Sequence, residues 1–553
     1  MAGVMHTDAT FATYSDFGQN KGRYVMGNAV NSLLQYIRDT EGGIGIEYTD
    51  GTQTYYLSNE QGMIDFIGVH DAGHSGLVSP NMLATVLHNG SLNGSFSGND
   101  IGETYAQNYS VIDIRGSNKF RVMEENGDDY MMQRQSRVVT DAVAAPISTI
   151  DVSTVTGQHM YHSGAGIMGL YDENIDTFKS LAWAYVFNIG DIDMLTGVSI
   201  RGDKGQFGIY KEVGYGNGIG ASLENPLPNA TRGGDSGSPV FIYNTETGQY
   251  EYLASHQSGN GRSWGQARGN LVWAHKTVKS YDVAVDMANT NEVHLGAVTT
   301  QGETISDNIG NSTTIWSGTV TAGDKTVSFK GVKDGQYTWR DMSDIKDSQT
   351  WYAYDADLYN ASTNADGKLN LSDADLFYTE NLVFTAGQSD NRIVLEATVE
   401  MGAGYTEFNK GSQEHAEFTI TGAGKQLHTS GYVINDGVEV HLQLTNPSDY
   451  MTEWRKIGAG DLYIDGQGDT NALLNVGGSG ATYLQQTGGY AAYNVLVNTG
   501  ATVVIQDTDQ IARDLTFGAG GGVLDMNGNS MNWYTSNGST PRSGSFTINA
   551  LTD

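Results

Sequence analysis

Short strand-like segments recur through this sequence without any helix-period stretch, and this recurrence constrains the fold more than any other feature. From about residue 300 onward, glycine, asparagine and aspartate separate these segments, in a chain with 72 Gly and only 7 Pro. Many short strands of similar spacing, without a strict repeat, predict a parallel β-helix. An array of β-sandwiches is the alternative. The clearest segments are Thr314–Trp316, Lys325–Phe329, Asn381–Phe384, Arg392–Leu395, Val438–Leu442, Asp461–Ile464, Ala501–Ile505 and Gly522–Met526.

The preceding part of the chain, residues 10–290 or so, has strand-like segments of irregular length separated by polar turns. Gly43–Tyr48, Met82–Leu87 and Pro239–Tyr243 are examples. This pattern is typical of an antiparallel barrel or sandwich domain. Because 553 residues exceed what one hydrophobic core usually serves, we expect two domains, 1–295 and 296–553.

Composition excludes several classes of function. The chain has 30 basic and 63 acidic residues, a net charge of −33, which would repel nucleic acid and anionic lipid. It has no cysteine, so disulfides, thiolate metal sites and a cysteine nucleophile are excluded. No apolar run approaches the roughly 18 residues of a membrane-spanning helix. The first residues lack a signal-peptide pattern, which leaves a cytoplasmic protein or a processed secreted one as alternatives.

The segment Arg232–Pro239, which reads Arg-Gly-Gly-Asp-Ser-Gly-Ser-Pro, is the strongest chemical signal. Glycines on both sides of the Asp-Ser pair allow a sharp turn that exposes the hydroxyl of Ser236. The same turn can direct the amides of Gly234 and Ser236 at one point, which would form an oxyanion hole. A lipase-type nucleophile elbow would need glycine at position 238, where this chain has Ser238. The segment therefore predicts a serine nucleophile that needs a histidine base and an orienting carboxylate.

Twelve histidines compete for the role of the base. His88 ends an apolar strand and begins a polar turn, so its ring is expected at the edge of a core. His70 and His74 flank a turn-like segment without a third metal ligand, and we interpret them as loop histidines. His256 is interpreted as a wall or core residue of the domain that carries Ser236. No metal site and no cofactor are expected.

Several segments occur in the same order as in the immunoglobulin A protease family of autotransporter serine proteases, which this chain resembles over nearly its whole length. In that family a chymotrypsin-like protease domain, a double β-barrel, is followed by a right-handed parallel β-helix and a membrane barrel for export, and its members are secreted by Gram-negative bacteria. The segments are Asp16–Gly22, Met63–Phe66, Leu87–Gly90, Asp129–Arg134, Val138–Asp141, Gly234–Pro239, Trp454–Ile464 and Leu524–Asn529.

The resemblance implies a catalytic triad of His88, Asp129 and Ser236, with Gly234 and Ser236 forming the oxyanion hole. Asp129 begins a stretch like the family's Asp-aromatic-x-x-Pro-Arg segment, although Gln133 replaces the proline. Because of that departure, Asp128 and Asp113 stay open as alternatives. The implied order of histidine, aspartate and serine is that of chymotrypsin-like enzymes.

The resemblance also implies a secreted endopeptidase that cleaves host or environmental proteins, and we expect a monomer that is a truncated passenger. An adhesin in which the β-helix binds a surface is the alternative. The specificity pocket is expected around Ala230 and residues 255–259, with Ala230 at its floor, which disfavours basic side chains. Residues 362–373 mimic a calcium loop but lack its terminal glutamate, and Arg201–Asp203 is interpreted as a chance Arg-Gly-Asp triplet.

Overall fold

The computed structural model shows an almost entirely β-stranded protein. It describes residues 68–70, 74–90, 93–96, 107–110, 131–148, 150, 236–259, 382–387, 389–395, 404–422, 424, 427–444, 453–498, 500–518 and 521–531, together with the backbone of the strands that lie outside these ranges. In this part of the chain the single helical segment is one turn of 3-10 helix, Leu87–Asn89. No helix in it is long and apolar enough to cross a membrane.

In the described part of the N-terminal region, twenty strands form small, mostly antiparallel sheets. They are Val4–Met5 (β1), Gly43–Glu47 (β2), Thr54–Ser58 (β3), Gly76–Ser79 (β4), Met82–Thr85 (β5), Gly94–Ser95 (β6), Asn108–Tyr109 (β7), Asp113–Ile114 (β8), Asn118–Lys119 (β9), Arg121–Met123 (β10), Met131–Arg134 (β11), His159–Ser163 (β12), Ile167–Asp172 (β13), Thr177–Trp183 (β14), Phe187–Asp191 (β15), Gly205–Gly208 (β16), Asn229–Ala230 (β17), Pro239–Asn244 (β18), Gln249–Gly259 (β19) and Arg268–Trp273 (β20).

The second region contains the remaining strands, most of which are short and separated by tight turns. They are Asn291–His294 (β21), Glu303–Ile305 (β22), Trp316–Thr321 (β23), Thr326–Gly331 (β24), Arg340–Asp341 (β25), Ala353–Tyr354 (β26), Lys368–Leu369 (β27), Leu382–Thr385 (β28), Asp390–Leu395 (β29), Val399–Glu400 (β30), Thr406–Asn409 (β31), Ala416–Gly422 (β32), Leu427–His428 (β33), Tyr432–Ile434 (β34), Val438–Leu444 (β35), Glu453–Ile457 (β36), Asp461–Ile464 (β37), Leu473–Val476 (β38), Ala481–Leu484 (β39), Ala492–Val497 (β40), Thr502–Ile505 (β41), Ile511–Phe517 (β42) and Val523–Asp525 (β43).

Two sheets position His88 and Ser236, and the first of them also includes β26 of the second region. A five-stranded sheet has the order β26-β10-β11-β5-β4, and a six-stranded sheet has the order β15-β12-β18-β19-β20-β16. The strand before His88, β5, pairs with β11 in antiparallel fashion, with Met131 opposite Thr85. The strand after Ser236, β18, pairs with β19. Histidine and serine are therefore carried by different sheets.

The second region is a parallel β-helix built on two long sheets. One has eight strands, β21-β28-β31-β34-β36-β38-β40-β42, and the other ten, β22-β23-β24-β29-β32-β35-β37-β39-β41-β43. All pairs from β28 and β29 onward are parallel within these two sheets, whereas the first three strands of the ten-stranded sheet, β22 to β24, pair in antiparallel fashion. This arrangement confirms the predicted all-β fold with a parallel β-helix after the N-terminal domain.

Alternation of buried and exposed side chains explains why these segments form β-helix strands. In β32 and β35 every second residue is buried, as expected for strands with one face on a core. Equivalent positions on successive strands stack, so that Phe418 lies opposite Val440, and Val440 opposite Leu462. Trp454 belongs to the same core and is 4% exposed.

The segment 137–141 of the N-terminal region contacts the β-helix through buried polar groups. Arg455 on β36 donates from Nη1 to the carbonyl oxygen of Val138 at 3.1 Å and from Nη2 to Oε1 of Glu453 at 2.6 Å. Thr140 donates from Oγ1 to Oδ1 of Asn475 on β38 at 2.9 Å. Because Arg455 is only 4% exposed, loss of these partners would leave a buried charge without compensation.

A tyrosine and an aspartate extend this contact into the core of the N-terminal region. The hydroxyl of Tyr109 donates to Oδ1 of Asp141 at 2.6 Å, and the guanidinium of Arg455 lies 5.1 Å from the centre of the Tyr109 ring. Burial raises the pKa of the Asp141 carboxyl to about 6, even though the hydrogen bonds from Tyr109 and from the Gln107 amide lower it. The two regions therefore share one continuous hydrogen-bonded contact.

Candidate active site

The turn that carries His88 and the loop that carries Ser236 meet at the ends of two strands. Strand β5 ends at Thr85, and the 3-10 turn Leu87–Asn89 follows it. Ser236, Gly237 and Ser238 directly precede β18. Thus each predicted residue stands at the end of a buried strand, where a side chain can reach the surface while its backbone stays anchored.

Gly237 gives the serine loop its sharp turn. Its φ of +83° lies in the left-handed region, which costs little for glycine because it has no Cβ atom. A Cβ at this position would lie 2.2 Å from the carbonyl oxygen of His74 and 2.4 Å from Oγ1 of Thr85. The amide of Gly237 donates to the carbonyl oxygen of His256 at 2.7 Å. Position 237 therefore needs glycine, both for its conformation and for the close packing around it.

Two side chains from the β4–β5 part of the domain hold the backbone of Ser236. The amide group of Asn89 donates from Nδ2 to the carbonyl oxygen of Ser236 at 2.6 Å. The ring nitrogen Nδ1 of His74 lies 3.3 Å from the same oxygen. Thr85 donates from Oγ1 to the His74 carbonyl oxygen at 2.6 Å, which fixes the loop that carries His74. Asn89 is adjacent to His88, so the hydrogen bond from Asn89 brings the His88 turn against the serine loop.

Three imidazoles, those of His74, His88 and His256, lie close enough around Ser236 to influence one another electrostatically. Burial lowers the pKa of His256 to about 3, and the charge of His88 lowers it further by a smaller amount. Burial likewise lowers the pKa of His74, opposed by its hydrogen bond to Ser236, and the charge of His88 again contributes a smaller lowering. His256 is fully buried and His88 exposed. Of these three histidines, His88 is the one whose side chain is exposed to water.

The structure brings some of the predicted site residues together and leaves others outside the described residues. The segments of His88 and Ser236 are in contact through Asn89, and Ser236 is half-buried. Gly234, Asp128 and Asp129 lie outside the described residues. Asp113 and Ala230 lie on strands β8 and β17, whose backbones alone are described. His256 is a buried wall residue, as the sequence interpretation expected.

Sequence reasoning missed the roles of Asn89 and His74 in holding the serine loop. His74 was interpreted simply as a loop histidine, and its contact with Ser236 spans 162 positions of the chain. No local pattern could reveal it. Asn89 had a usable signal, because it follows His88 directly and a short polar side chain there is well placed to reach a backbone carbonyl.

Comparison with known proteins adds independent findings. Residues 2–277 match the family model described as immunoglobulin A1 protease. The adhesion and penetration protein autotransporter of Haemophilus influenzae is 25% identical over 96% of this chain and 36% of its own length. The serine protease EatA of Escherichia coli is 25% identical over 96% of this chain and 33% of that protein. The immunoglobulin A1 protease autotransporter of Haemophilus influenzae is 23% identical over 96% and 30%.

Solved structures share the fold. The crystal structure of the Haemophilus influenzae Hap adhesin has a TM-score of 0.61 at 19% identity, covering 95% of this chain and 52% of that chain. The passenger domain of the plasmid-encoded toxin from enteroaggregative Escherichia coli has a TM-score of 0.52 at 16% identity, covering 95% and 44%. The chain spans about a third of the length of the curated relatives it matches.

Proposed function

Because the chain belongs to the immunoglobulin A1 protease family of autotransporter serine proteases, we propose that it is a serine endopeptidase with Ser236 as its nucleophile. Family membership places the chain among autotransporter passengers, which are secreted or exposed at the cell surface through the outer membrane. We assign residues 1–295 to the protease domain and residues 296–553 to the β-helical stalk, except that strand β21, Asn291–His294, pairs with β28 and therefore belongs to the stalk. Its substrates are proteins.

The observation that carries the proposal is the hydrogen bond from Asn89 to the carbonyl oxygen of Ser236, 2.6 Å long. It joins the histidine turn to the serine loop across 147 positions of the chain. A base must lie within hydrogen-bond reach of the hydroxyl proton it removes. The neighbour of Asn89, His88, is the exposed histidine of this cluster, so it is the proposed base.

The register of β5 and β11 supports Asp129 as the third member. Met131 begins β11 and lies opposite Thr85, the last residue of β5. In the sequence, Asp129 stands two positions before Met131, and the His88 turn comes shortly after Thr85. The two segments therefore adjoin the same end of the β5–β11 pair. By contrast, Asp113 lies on β8, which pairs with β9 and not with β5 in the described strands. We therefore keep Asp129 as the residue that orients His88.

In this mechanism the Ser236 oxygen attacks the carbonyl carbon of the scissile peptide while His88 takes the hydroxyl proton. The amides of Gly234 and Ser236 would stabilise the negative charge on the carbonyl oxygen. Removal of one such donor typically lowers the rate about 100- to 1000-fold. The C–N bond then breaks, and His88 returns the proton to the leaving amine. Water hydrolyses the acyl-enzyme by the same steps and restores the hydroxyl.

A fluorophosphonate probe tests the proposal, because it labels only an activated serine. We expect labelling at Ser236 in the native chain, and loss of both labelling and casein cleavage in Ser236→Ala and His88→Ala. Ser412→Ala and His415→Ala are matched controls on the exposed surface of the stalk and should keep full activity. Labelling that persists in Ser236→Ala would overturn the assignment.

Adhesion is the second candidate function. A similar solved structure is an adhesin, and one relative is named an adhesion and penetration protein. If the stalk binds a surface, Ser236→Ala should retain that binding while it loses proteolysis. Loss of both activities together in a correctly folded variant would argue against an independent adhesive role.

A further inference from the structure

One outer face of the β-helix brings together side chains that lie one rung apart. On the ten-stranded sheet, Glu417 of β32 lies opposite Glu439 of β35, which in turn lies opposite Asp461 of β37. Two residues along the same strand, His441 of β35 lies opposite Tyr463 of β37. Side chains two residues apart point to the same face of a strand. The face therefore holds a histidine beside a row of carboxylates.

We propose that Glu417, Glu439 and His441 form a binding site for a divalent transition metal of the zinc type. One ligand atom from each of the three residues lies within 4.8 Å of the other two. Nε2 of His441 is 3.7 Å from Oε1 of Glu417. In a tetrahedral site with bonds of about 2.0–2.1 Å, ligand atoms are about 3.3–3.4 Å apart. Binding of the metal would close this gap by rotation of the two glutamate side chains, which are partly exposed.

Contacts on the other side of the imidazole present Nε2 for coordination. Nδ1 of His441 donates to Oδ2 of Asp465 at 2.8 Å, which leaves the lone pair of the neutral ring on Nε2. The ring also stacks on Tyr463, with centroids 4.3 Å apart and an angle of 7° between the planes. A carboxylate that accepts from the far nitrogen is the usual partner of a metal-bound histidine, and it fixes both the tautomer and the ring orientation.

The chemistry of the ligands selects the metal. One imidazole and two carboxylates suit zinc, which takes nitrogen and oxygen ligands in four-coordinate sites. Calcium and magnesium prefer all-oxygen sites. The side chains of His441, Glu417 and Glu439 are 17%, 40% and 33% exposed, so water can reach the fourth position.

A bound cation would also offset a repulsion built into the sheet. Glu417 and Glu439 are directly opposite in register, at the spacing of about 4.8 Å between neighbouring strands. Like charges in such pairs are destabilising. Among the described residues, Nε2 of His415 lies 3.8 Å from Oε1 of Glu439, and the cation that the cluster itself can supply is the protonated form of His441. A metal and this proton are mutually exclusive on Nε2 of His441.

Isothermal titration of the metal-stripped 553-residue chain with zinc chloride tests the site, since zinc itself is the probe. We expect one tight zinc equivalent in the native chain. His441→Ala and the double variant Glu417→Gln, Glu439→Gln should each lose it, with a fall in affinity of about 100-fold or more. Asp465→Asn should weaken binding about 10- to 100-fold, because the outer carboxylate orients the histidine.

A control variant, a spectroscopic measurement and a test of folding accompany the titration. Asp507→Asn changes an exposed carboxylate on the same β-helix and should bind zinc like the native chain. Cobalt substitution should give the visible absorption of a four-coordinate ion, which is lost in His441→Ala, and circular dichroism should show that each variant is folded. Unchanged zinc affinity in the His441→Ala variant and the double glutamate variant would overturn the proposal.

Discussion

The candidate active site and the outer face of the β-helix bring side chains together by different rules. In the β-helix, Glu417 and Glu439 meet because successive rungs repeat the same position, and their register is a property of the sheet. At the candidate active site, Asn89 and Ser236 are in contact although 147 positions separate them in the sequence and no repeat relates them. The difference teaches that neighbours in a solenoid can be found from spacing alone, whereas the site depends on how two separate sheets are packed.

If the β-helix is held by its stacked core, removing one large core side chain should have the largest effect on stability. Phe418 is fully buried and lies 5.2 Å from Phe408 between ring centres. Replacing it with alanine should cost about 3–5 kcal/mol, because a cavity remains. Urea unfolding followed by circular dichroism measures this loss. Casein cleavage at 25 °C should stay at the native level, since the site is built on other sheets.

Val523→Ala is the matched control for this change, because Val523 is 46% exposed. It should change the free energy of unfolding by less than about 0.5 kcal/mol. Equal effects of the two substitutions would show that the stacked interior does not dominate the stability of the stalk.

The second prediction contrasts two glycines with positive φ. Gly237→Ala at the serine loop should reduce casein cleavage about 100-fold, because the new Cβ would displace the loop and misplacements near 1 Å have effects of that size. Gly500 has a φ of +76° with no atom within 4 Å of the added Cβ. Gly500→Ala should therefore leave cleavage unchanged and lower the free energy of unfolding by only about 1 kcal/mol. The ratio of kcat/KM values measures the first effect.

A smaller cleavage defect in Gly237→Ala than in Gly500→Ala would contradict the packing described around Ser236. Circular dichroism of both variants separates a local defect from global unfolding. Fluorophosphonate labelling rates provide the same comparison without a protein substrate.

The third prediction concerns two buried titratable groups, one in each region, whose pKa values differ between the folded and the unfolded chain. The buried His256 has a pKa of about 3, against 6.5 when unfolded. The unfolded chain therefore binds more protons below pH 6.5, and stability falls as the pH decreases. At pH 5 the loss relative to pH 7 should be about 2 kcal/mol.

In the β-helix, burial lowers the pKa of Lys456 to about 7, from 10.5. Its ammonium donates to the carbonyl oxygens of Gly480 at 2.7 Å and Gly458 at 3.2 Å. Here too the unfolded state binds more protons between the two pKa values, so stability should rise by about 2 kcal/mol from pH 7 to pH 9. Hydrogen exchange resolves the two regions, with amides of β18 and β19 reporting the acid effect and amides of β36 the alkaline one.

His256→Gln and Lys456→Met identify the groups responsible. Each substitution should flatten the pH dependence in its own region and leave the other region unchanged. A pH dependence of β36 exchange that survives Lys456→Met would mean that another group controls it.

The stalk was well predicted from the sequence because its local patterns agree with its tertiary structure. The predicted segment Asp461–Ile464 coincides with β37, and Val438–Leu442 is the main part of β35. Of the predicted segment Thr314–Trp316, the first two residues lie outside the described residues, and Trp316 begins β23, which continues to Thr321. Its bounds follow from hairpin pairing with β24, in which Trp316 lies opposite Gly331, and propensity alone does not encode that register.

For the candidate site, the sequence predicted the reactive residues but not the contacts that hold them in place. The serine loop has a specific local pattern, and His88 was found through the resemblance to a known family. The partners that hold Ser236, His74 and Asn89, depend on contacts between sheets. The cluster of Glu417, Glu439 and His441 was also missed, and no metal site was expected. Its signal was available, because the residues lie one rung apart in a predicted solenoid.

The contact of segment 137–141 with the β-helix has a mechanical consequence. The amide of Val138 donates to the carbonyl oxygen of Ser430, Arg455 donates to the carbonyl oxygen of Val138, and Thr140 donates to Asn475. The last two partners stand on the neighbouring strands β36 and β38, and Ser430 precedes β34, the next strand of that sheet. A force that pulls the N-terminal domain along the stalk axis would load these bonds together rather than one after another. The N-terminal domain is therefore held at three successive strands of the β-helix, so that such a force is shared among three contacts.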